Sequence, residues 1–319
     1  MRWRPNQVSR PALALLAALS VGALAAAEWF QPTHPQPHLE AKLAAARKMQ
    51  QAMEVLASAR RAAGHAFDPE LDPRQTGLVG EAFTPVTVAA GSLRAAQITA
   101  NPNFAALVVQ MFASAGVKPG DAVAVGWTGS LPGANLAVLA AAETMGLRLI
   151  PVTSLGAAMY GANDPQFTWL DMEKLLAERG VFAARSVAAS LGGERETGRG
   201  LGRDARERLR AAVERAGAAL LEEPDLDAHV AAMVRLYAER AAGAPIRLYV
   251  NVGAGAGSVG SSANARALKP GLNSSIWGLR LERDGAMTRL AAEGLPVVHV
   301  DDVEALCERY GYPTDPQAD

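Results

Sequence analysis

GDAVAVGWTGSLPGANLAVLAAAETMGLRLIPVTSLGAAMYGANDPQFTWLDME, residues 120–173, decides the fold. Ala122–Val125 is a short apolar run of the kind a buried strand needs, and Leu147–Val152 is a second. Between them a polar glycine loop leads into a helical pattern from about Gly133 to Met145, with Pro132 suited to the first turn. The unit is therefore strand, loop, helix, strand, loop, and both loops fall at the carboxyl ends of their strands. Open α/β sheets place their ligands there. Thr128, Gly129 and Ser130 stand where the helix begins, so hydroxyls and free main-chain N–H groups suit an anion, either phosphate or carboxylate. Two other readings stay open: a plain helix cap by the serine hydroxyl, or Ser130 as a nucleophile at a strand-to-helix turn. The five-residue nucleophile elbow G-x-S-x-G is absent, since Gly126-Trp127-Thr128-Gly129-Ser130 has the wrong spacing.

Outward from this unit, strands and helices alternate. Ile246–Val252 is a strand leading into GAGAGSVGSS, and Val297–Val300 is a shorter one before a helix at Asp302–Tyr310. Ser186–Gly193 reads as strand or loop. Helical patterns cover Leu39–Ala63, Trp169–Arg179, Gly200–Ala216 and Pro224–Ala241, and Asn101-Pro102 is read as N-cap and first position of another helix ending at Gly116. The charged 200–216 pattern is a solvated face. Near-continuous apolar strands imply burial on both faces, so the expected class is α/β, a parallel sheet sandwiched by helices. Residues 39–319 are taken as one domain or as two lobes, 39–195 and 196–319.

The second loop, Thr153-Ser154-Leu155-Gly156 with Tyr160, Asn163 and Asp164 beyond it, is expected beside the first, with Ser154 a second candidate nucleophile. Asn163-Asp164-Pro165 could equally just turn the chain into the next helix. Gly255-Ala256-Gly257-Ser258-Val259-Gly260 formally matches G-x-G-x-x-G, but Lys269-Pro270-Gly271 interrupts any long helix after it. It reads better as a glycine-lined wall of the same cleft, with Gly255, Gly257 and Ser258 near the ligand, than as a dinucleotide site. No cofactor is implied.

The chain has 319 residues, a formal net charge of −1, 50% hydrophobic and 5% aromatic composition. That balance gives no basic surface for nucleic acid. The single cysteine, Cys307, can form no internal disulfide and falls in an apolar pattern with Val303 and Leu306, which makes it structural. His34 and His38 lie in a proline-rich stretch and His65, His229 and His299 are isolated, so no metal set is visible. Glu222-Glu223-Pro224-Asp225 reads as a helix-start charge or as a source of an acid or base.

The N-terminus carries an address. Arg2, Arg4 and Arg10 precede an uncharged apolar run, Pro11–Ala27, the pattern of a signal peptide or signal anchor over residues 1–30. A proline-rich spacer at 31–38 would follow, and the rest of the chain would lie outside the cytoplasm, at the cell membrane, secreted or periplasmic. An alanine-rich buried helix is the alternative. Without residues 1–27, Lys+Arg falls from 31 to 28 against 32 acids, a formal charge of −4.

Two resemblances follow from these motifs. Residues 120–154 resemble the heart of a sugar isomerase (SIS) domain, whose hydroxyl-rich loop holds a phosphosugar. More broadly, DPELDPRQTGLVGEAFTPVT (68–87), NPNFAALVVQ (101–110), SLGAAMYGANDPQFTWLDME (154–173), SVAASLGG (186–193), EEPDLD (222–227), VNVGAGAGSVG (250–260) and LKPGLN (268–273) are similar to the bacterial family called poly-gamma-glutamate system protein. This chain departs from that pattern with threonine at 128, where serine is more usual, and with alanine where a glycine stands at Ala254 or Ala256. The resemblance implies a membrane-anchored accessory of poly-γ-glutamate capsule biosynthesis or export, beside the membrane components of the synthase. Its implied ligand is the polymer, its precursor or its γ-glutamyl end. It transfers no catalytic residue. A γ-glutamyl hydrolase or transferase and a phosphosugar-binding module are the alternatives, and whether any reaction occurs stays open. Because the exported chain is mildly acidic, a local neutral-to-positive pocket is expected rather than a broad polyanion surface.

Overall fold

The apolar runs pair edge to edge because their main-chain N–H and C=O groups need partners, and helices cover their side chains on both faces. The computed structural model describes residues 9–29, 36–64, 67–276, 278–279, 281 and 284–316. Its helices are α1 (Arg10–Trp29), α2 (Leu39–Ala62), α3 (Leu93–Thr99), α4 (Phe104–Ser114), α5 (Pro132–Thr144), α6 (Trp169–Glu178), α7 (Arg203–Ala216), α8 (Leu226–Ala241), α9 (Ala256–Val259), α10 (Ser262–Ala267), α11 (Ala286–Ala292) and α12 (Val303–Tyr310). Its strands are β1 (Thr87–Ala89), β2 (Ala122–Thr128), β3 (Arg148–Ser154), β4 (Ala157–Ala158), β5 (Ala188–Ser190), β6 (Ala219–Leu220), β7 (Ile246–Val252), β8 (Gly271–Asn273) and β9 (Val297–Val300). Seven of them form one sheet in the order β6-β5-β3-β2-β7-β9-β8, and β1 pairs with β4. Every pairing in the seven-stranded sheet is parallel except β8 with β9. The protein is thus mixed α/β with a mostly parallel sheet. Strands from both sides of position 195 contribute to it.

From β2 the chain builds outward through β3, β5 and β6, then returns to place β7 on the other side of β2. That reversal opens a crevice at the carboxyl ends of β2 and β7, the usual ligand position in such sheets. Val123, Val125 and Trp127 of β2 pack on one face with Met49 and Leu56 of α2, Phe104 and Phe112 of α4 and Leu136 of α5. Ala122 and Ala124 pack on the other with Val230, Met233 and Tyr237 of α8 and Met287 of α11. The small residues on this second face leave room for Tyr237 and Tyr249, whose rings meet edge to face at 5.9 Å. Cys307 is fully buried in the first core, and burial pushes its thiol up to about 11. That fits a structural cysteine.

The expected start of α4 is corrected. Asn101 Oδ1 accepts the N–H of Asn103 at 2.9 Å and closes a turn, so the helix begins two residues after Pro102, at Phe104. The reading of 200–216 as a solvated face holds for its charged side alone, since Ala205, Leu209, Ala212 and Val213 of α7 are buried on the other. Helices α3 and α11 and strands β1, β4, β6 and β8 have no clear signature in the sequence. Each is two to seven residues long, and strands this short exist only where a neighbour supplies the hydrogen bonds.

The chain divides into two compact units, Met1–Leu39 and Glu40–Asp319. Helix α1 belongs to the first, and its Leu13, Leu15, Leu16, Leu19, Val21 and Leu24 are all exposed. Among the described residues no helix is long and apolar enough to cross a membrane. Arg2 and Arg4, spacer residues 31–35 with His34, and His65 lie outside the described residues.

Candidate functional site

Three loops at the carboxyl edge of the sheet enclose a cleft of about 360 Å³. The first follows β2, the second follows β3 and the third follows β7. They are laced together: Gly129 N donates to the Ser154 carbonyl at 3.1 Å and Ala162 N to the Gly129 carbonyl at 2.7 Å. Ser130 Oγ accepts the Ala158 N–H at 3.0 Å. Thr128 Oγ1 accepts the Ser130 N–H at 3.1 Å. The helix-cap reading of Ser130 is therefore corrected, because the N-cap of α5 is Leu131, with no side-chain cap hydrogen bond. Both hydroxyls accept from the main chain, which leaves each O–H proton free to donate.

Parallel register adds a third hydroxyl. Thr128 is the Cα partner of Ser154, and Ser154 is the partner of Ser190. Three hydroxyl residues thus stand in a row across adjacent strands about 4.8 Å apart. The outer two are engaged, Thr128 with Ser130 N and Ser190 with Glu196. Ser154 is half-buried, and among the described residues its hydroxyl has no protein partner.

Thr128, Ser130, Ser154 and Gly255 line the cleft, as do Leu131, Gly253, Ala254 and Ala256. Among the described residues, the main-chain N–H groups of Leu131, Ala254, Gly255 and Ala256 donate to no protein acceptor. Unpaired main-chain donors on a concave surface await a ligand or solvent. Gly253 makes the close approach: its φ is +79°, and a Cβ there would collide with Thr128 Oγ1. Gly253→Ala is expected to destabilise the fold by about 1–3 kcal/mol, read as a lower urea midpoint.

The other expected site residues lie elsewhere. Gly129 sits behind the lining, where a Cβ would press on the Leu155 carbonyl. The Thr153 side chain points to the opposite face and its hydroxyl accepts from Trp127 Nε1 at 2.7 Å. Tyr160 has φ +65°, and its main chain bonds Gly80 and Glu81. Asn163 donates to the Glu81 carbonyl at 2.7 Å and to Thr87 Oγ1 at 3.1 Å. Asp164 Oδ1 accepts the Gln166 N–H at 2.9 Å, a turn into α6. Of the acidic run 222–225, Asp225 caps α8 through the Ala228 N–H at 2.8 Å.

Charge in the cleft runs against expectation. Among the described residues, its charged lining is Asp301, just after β9, and Glu194, with no lysine or arginine. The pocket is neutral-to-acidic. Burial raises the Asp301 carboxyl above its ordinary value, while His299 pulls it down. His299 accepts from Asn251 Nδ2 through Nδ1 at 2.9 Å and donates Nε2–H to the Ala265 carbonyl at 3.2 Å, and burial lowers its pKa.

Beneath the cleft floor lies a small pocket of about 10 Å³, lined by Thr128, Ser154, Ser190, Glu196, His229, Gly257 and Ser258. That is room for about one water. Gly257 and Ser258 thus belong to the floor, not to the open cleft. Glu196 is 3% exposed. It accepts from Ser190 Oγ at 2.5 Å and from Gly257 N at 2.8 Å. Ser258 donates to Asn251 Oδ1 at 2.5 Å and pairs with the Tyr249 hydroxyl at 2.8 Å. His229, also 3% exposed, has no ring hydrogen bond among the described residues. Burial lowers its pKa, while the Glu196 and Glu223 carboxylates pull it up. Glu196 and His229 escape a sequence reading because they are 33 positions apart and meet only around Gly257. Ser190 and Asp301 carry a fainter signal, each standing at or just past the end of a strand. Comparison with models of known protein families, with curated proteins and with solved structures finds no match.

Proposed function

We propose that the protein binds the γ-glutamyl end of poly-γ-glutamate, or of its precursor, in the cleft at the ends of β2, β3 and β7. In this reading it acts outside the membrane as an accessory of polymer synthesis or export, held or delivered there by the Arg2/Arg4/Arg10 flank and the apolar segment after it. The membrane components of the synthase would be its neighbours. The observation that carries the ligand is the cleft's make-up. Hydroxyls of Thr128, Ser130 and Ser154 and four N–H groups unpaired among the described residues can take a carboxylate, while Asp301 stands in the same cleft with no cation among its described lining residues.

A polymer interior is a file of α-carboxylates joined by amides, and such a polyanion would meet repulsion from Asp301 and Glu194. The amino-terminal unit differs: it carries both an ammonium and a carboxylate, so Asp301 and the donors can each find a counterpart. The likeness of residues 120–154 to a sugar isomerase domain supports the same edge of a Rossmann-like sheet as a ligand position, with a carboxylate in place of a phosphate.

Isothermal titration of the full chain with short γ-linked glutamyl oligomers tests this. Free-amine oligomers are expected to bind and amino-acetylated ones to bind at least tenfold more weakly. The double variant Thr128→Val/Ser130→Ala is expected to lose about tenfold, two hydrogen bonds at roughly 0.5–1.5 kcal/mol each. Unchanged affinity in a folded double variant removes this cleft as the binding site, and equal binding of the acetylated oligomer removes the end-group reading.

A further inference from the structure

The floor of the cleft separates two different environments. Above it lies open space lined by unpaired donors, and below it lies the small pocket with a buried carboxylate and a buried imidazole. Thr128, Ser154 and Gly255 line both. Gly255 has no side chain, and the Thr128 hydroxyl is occupied by the Ser130 N–H. Ser154 is left as the one hydroxyl on both sides of the floor without a protein partner among the described residues.

The chain has gone to some expense to build the lower pocket. Arg195 and Glu196 are non-glycine residues with φ of +59° and +64°, flanked by Gly192, Gly193 and Gly198, which are also left-handed. Consecutive non-glycine residues in that region cost of order 1–3 kcal/mol each and persist where surrounding structure imposes them. Here the winding carries Glu196 inward, where Ser190 and Gly257 N hold both carboxylate oxygens. Gly257 must be glycine for His229 to lie where it does, since a Cβ would press on the ring at Cδ2 and Nε2. The His229 ring makes no hydrogen bond among the described residues, and its nitrogens are not among the fully enclosed unpartnered atoms, which leaves them open to the small pocket that the ring lines.

We propose that Ser154 is the nucleophile of an acyl-transfer site, with His229 as its general base and acid and Glu196 as the carboxylate in the same pocket whose charge stabilises His229 when it is protonated. The proposal rests on the preceding reading only for the acyl group, a γ-glutamyl amide. Ser154 Oγ attacks the γ-carbonyl carbon while its proton passes to the imidazole, directly or through one water. The C–N bond breaks, and the imidazolium returns that proton to the leaving amine nitrogen. A Ser154 ester remains. Water then attacks the ester carbon, gives its proton to His229, and the Oγ–C bond breaks as Ser154 is reprotonated. The products are a free γ-carboxylate and a free amine, and no further reactant is needed. Unpaired N–H groups such as those of Leu131 and Gly255 are available to the carbonyl oxygen as charge develops on it. A neutral imidazole is needed at the start and a protonated one midway. Burial supplies the first condition, and the nearby Glu196 carboxylate eases the second.

Labelling of the full chain with a fluorophosphonate, followed by intact-mass and peptide mapping, tests the assignment. In that reaction the Ser Oγ–P bond forms as the P–F bond breaks and fluoride leaves. One adduct on Ser154 is expected, absent from Ser154→Ala. His229→Gln should slow labelling at least 100-fold. The wild-type rate should rise with pH through a single step below the ordinary imidazole range. Glu196→Gln should move that step to lower pH, a change that loss of packing alone would not produce.

No adduct in folded protein, an adduct on another serine, or a labelling rate independent of pH overturns the proposal. An unmoved pH step in Glu196→Gln removes Glu196 from it. Oligomer affinity is scored separately: labelling at Ser154 without γ-glutamyl binding would sink the ligand assignment alone, and binding without labelling would sink the chemistry alone.

Discussion

Trp127→Ala is expected to cost about 3–5 kcal/mol of folding stability, a large share of the roughly 5–15 kcal/mol that holds a typical domain together. Trp127 is 1% exposed near the carboxyl end of β2, and its ring meets Trp169 of α6 edge to face at 5.5 Å. Truncation removes that contact and leaves a cavity between sheet and helix that surrounding residues close only in part. It also removes the Trp127 Nε1 donor from Thr153 Oγ1 and from Ser186 Oγ, at 2.7 and 3.3 Å. Urea unfolding measures the loss, and a change under 1 kcal/mol would mean the site collapses without penalty. Phenylalanine restores most of the volume but not the donor, so Trp127→Phe should fall between the two.

The same polar chain ends in a titrating group. Thr153 and Ser186 share a hydrogen bond at 2.6 Å, and Ser186 donates its hydroxyl and its N–H to the two Glu173 oxygens, each at 3.0 Å. Burial pushes the Glu173 carboxyl from an ordinary 4.5 up to about 7, against the pull of the Ser186 N–H and hydroxyl. Between those values the native protein keeps a proton that the unfolded chain has released. Stability from this group is therefore full below about pH 4.5 and falls as pH rises through 7, by up to about 3 kcal/mol at 1.36 kcal/mol per unit. Glu173→Gln cannot ionise. It should match wild type near pH 4.5 and exceed it near pH 8, and parallel stability–pH curves for the two proteins would show that Glu173 carries no such load.

Both groups lie behind the sheet, away from the cleft, and they show how a neighbouring pair of residues divides its work. Thr153 and Ser154 were expected together in the ligand loop. Successive residues of a strand point to opposite faces, so Thr153 belongs to the Trp127–Glu173 chain and Ser154 to the cleft. Strand alternation makes that split legible, provided the strand is seen to run on to Ser154.

Asn163 and Asp164 mark a different kind of limit. Polar residues in a long loop can serve a ligand or the loop itself, and composition does not separate the two. Here Asn163 holds the 81–87 segment, with Glu81 N donating to its Oδ1 at 3.2 Å, and Asp164 makes a turn. The expected sign of the pocket failed for a related reason. Net charge is a sum over the chain, whereas a cleft feels only the few side chains that line it.

What the amino-acid sequence by itself determined is the local order: long strands at β2, β3 and β7, a short buried one at β9, the helices between them, and hydroxyl- and glycine-rich loops at strand ends. These follow from apolar periodicity and turn chemistry, which act over a few residues. The tertiary structure alone decided which strands are neighbours, and so that Thr128, Ser154 and Ser190 stand in one row. It also decided that Glu196 and His229 meet around Gly257 and that Asp301 and Glu194 give the cleft its charge. Such meetings depend on strand order and on helix–sheet packing, and those are settled by burial of the whole core rather than by any one segment.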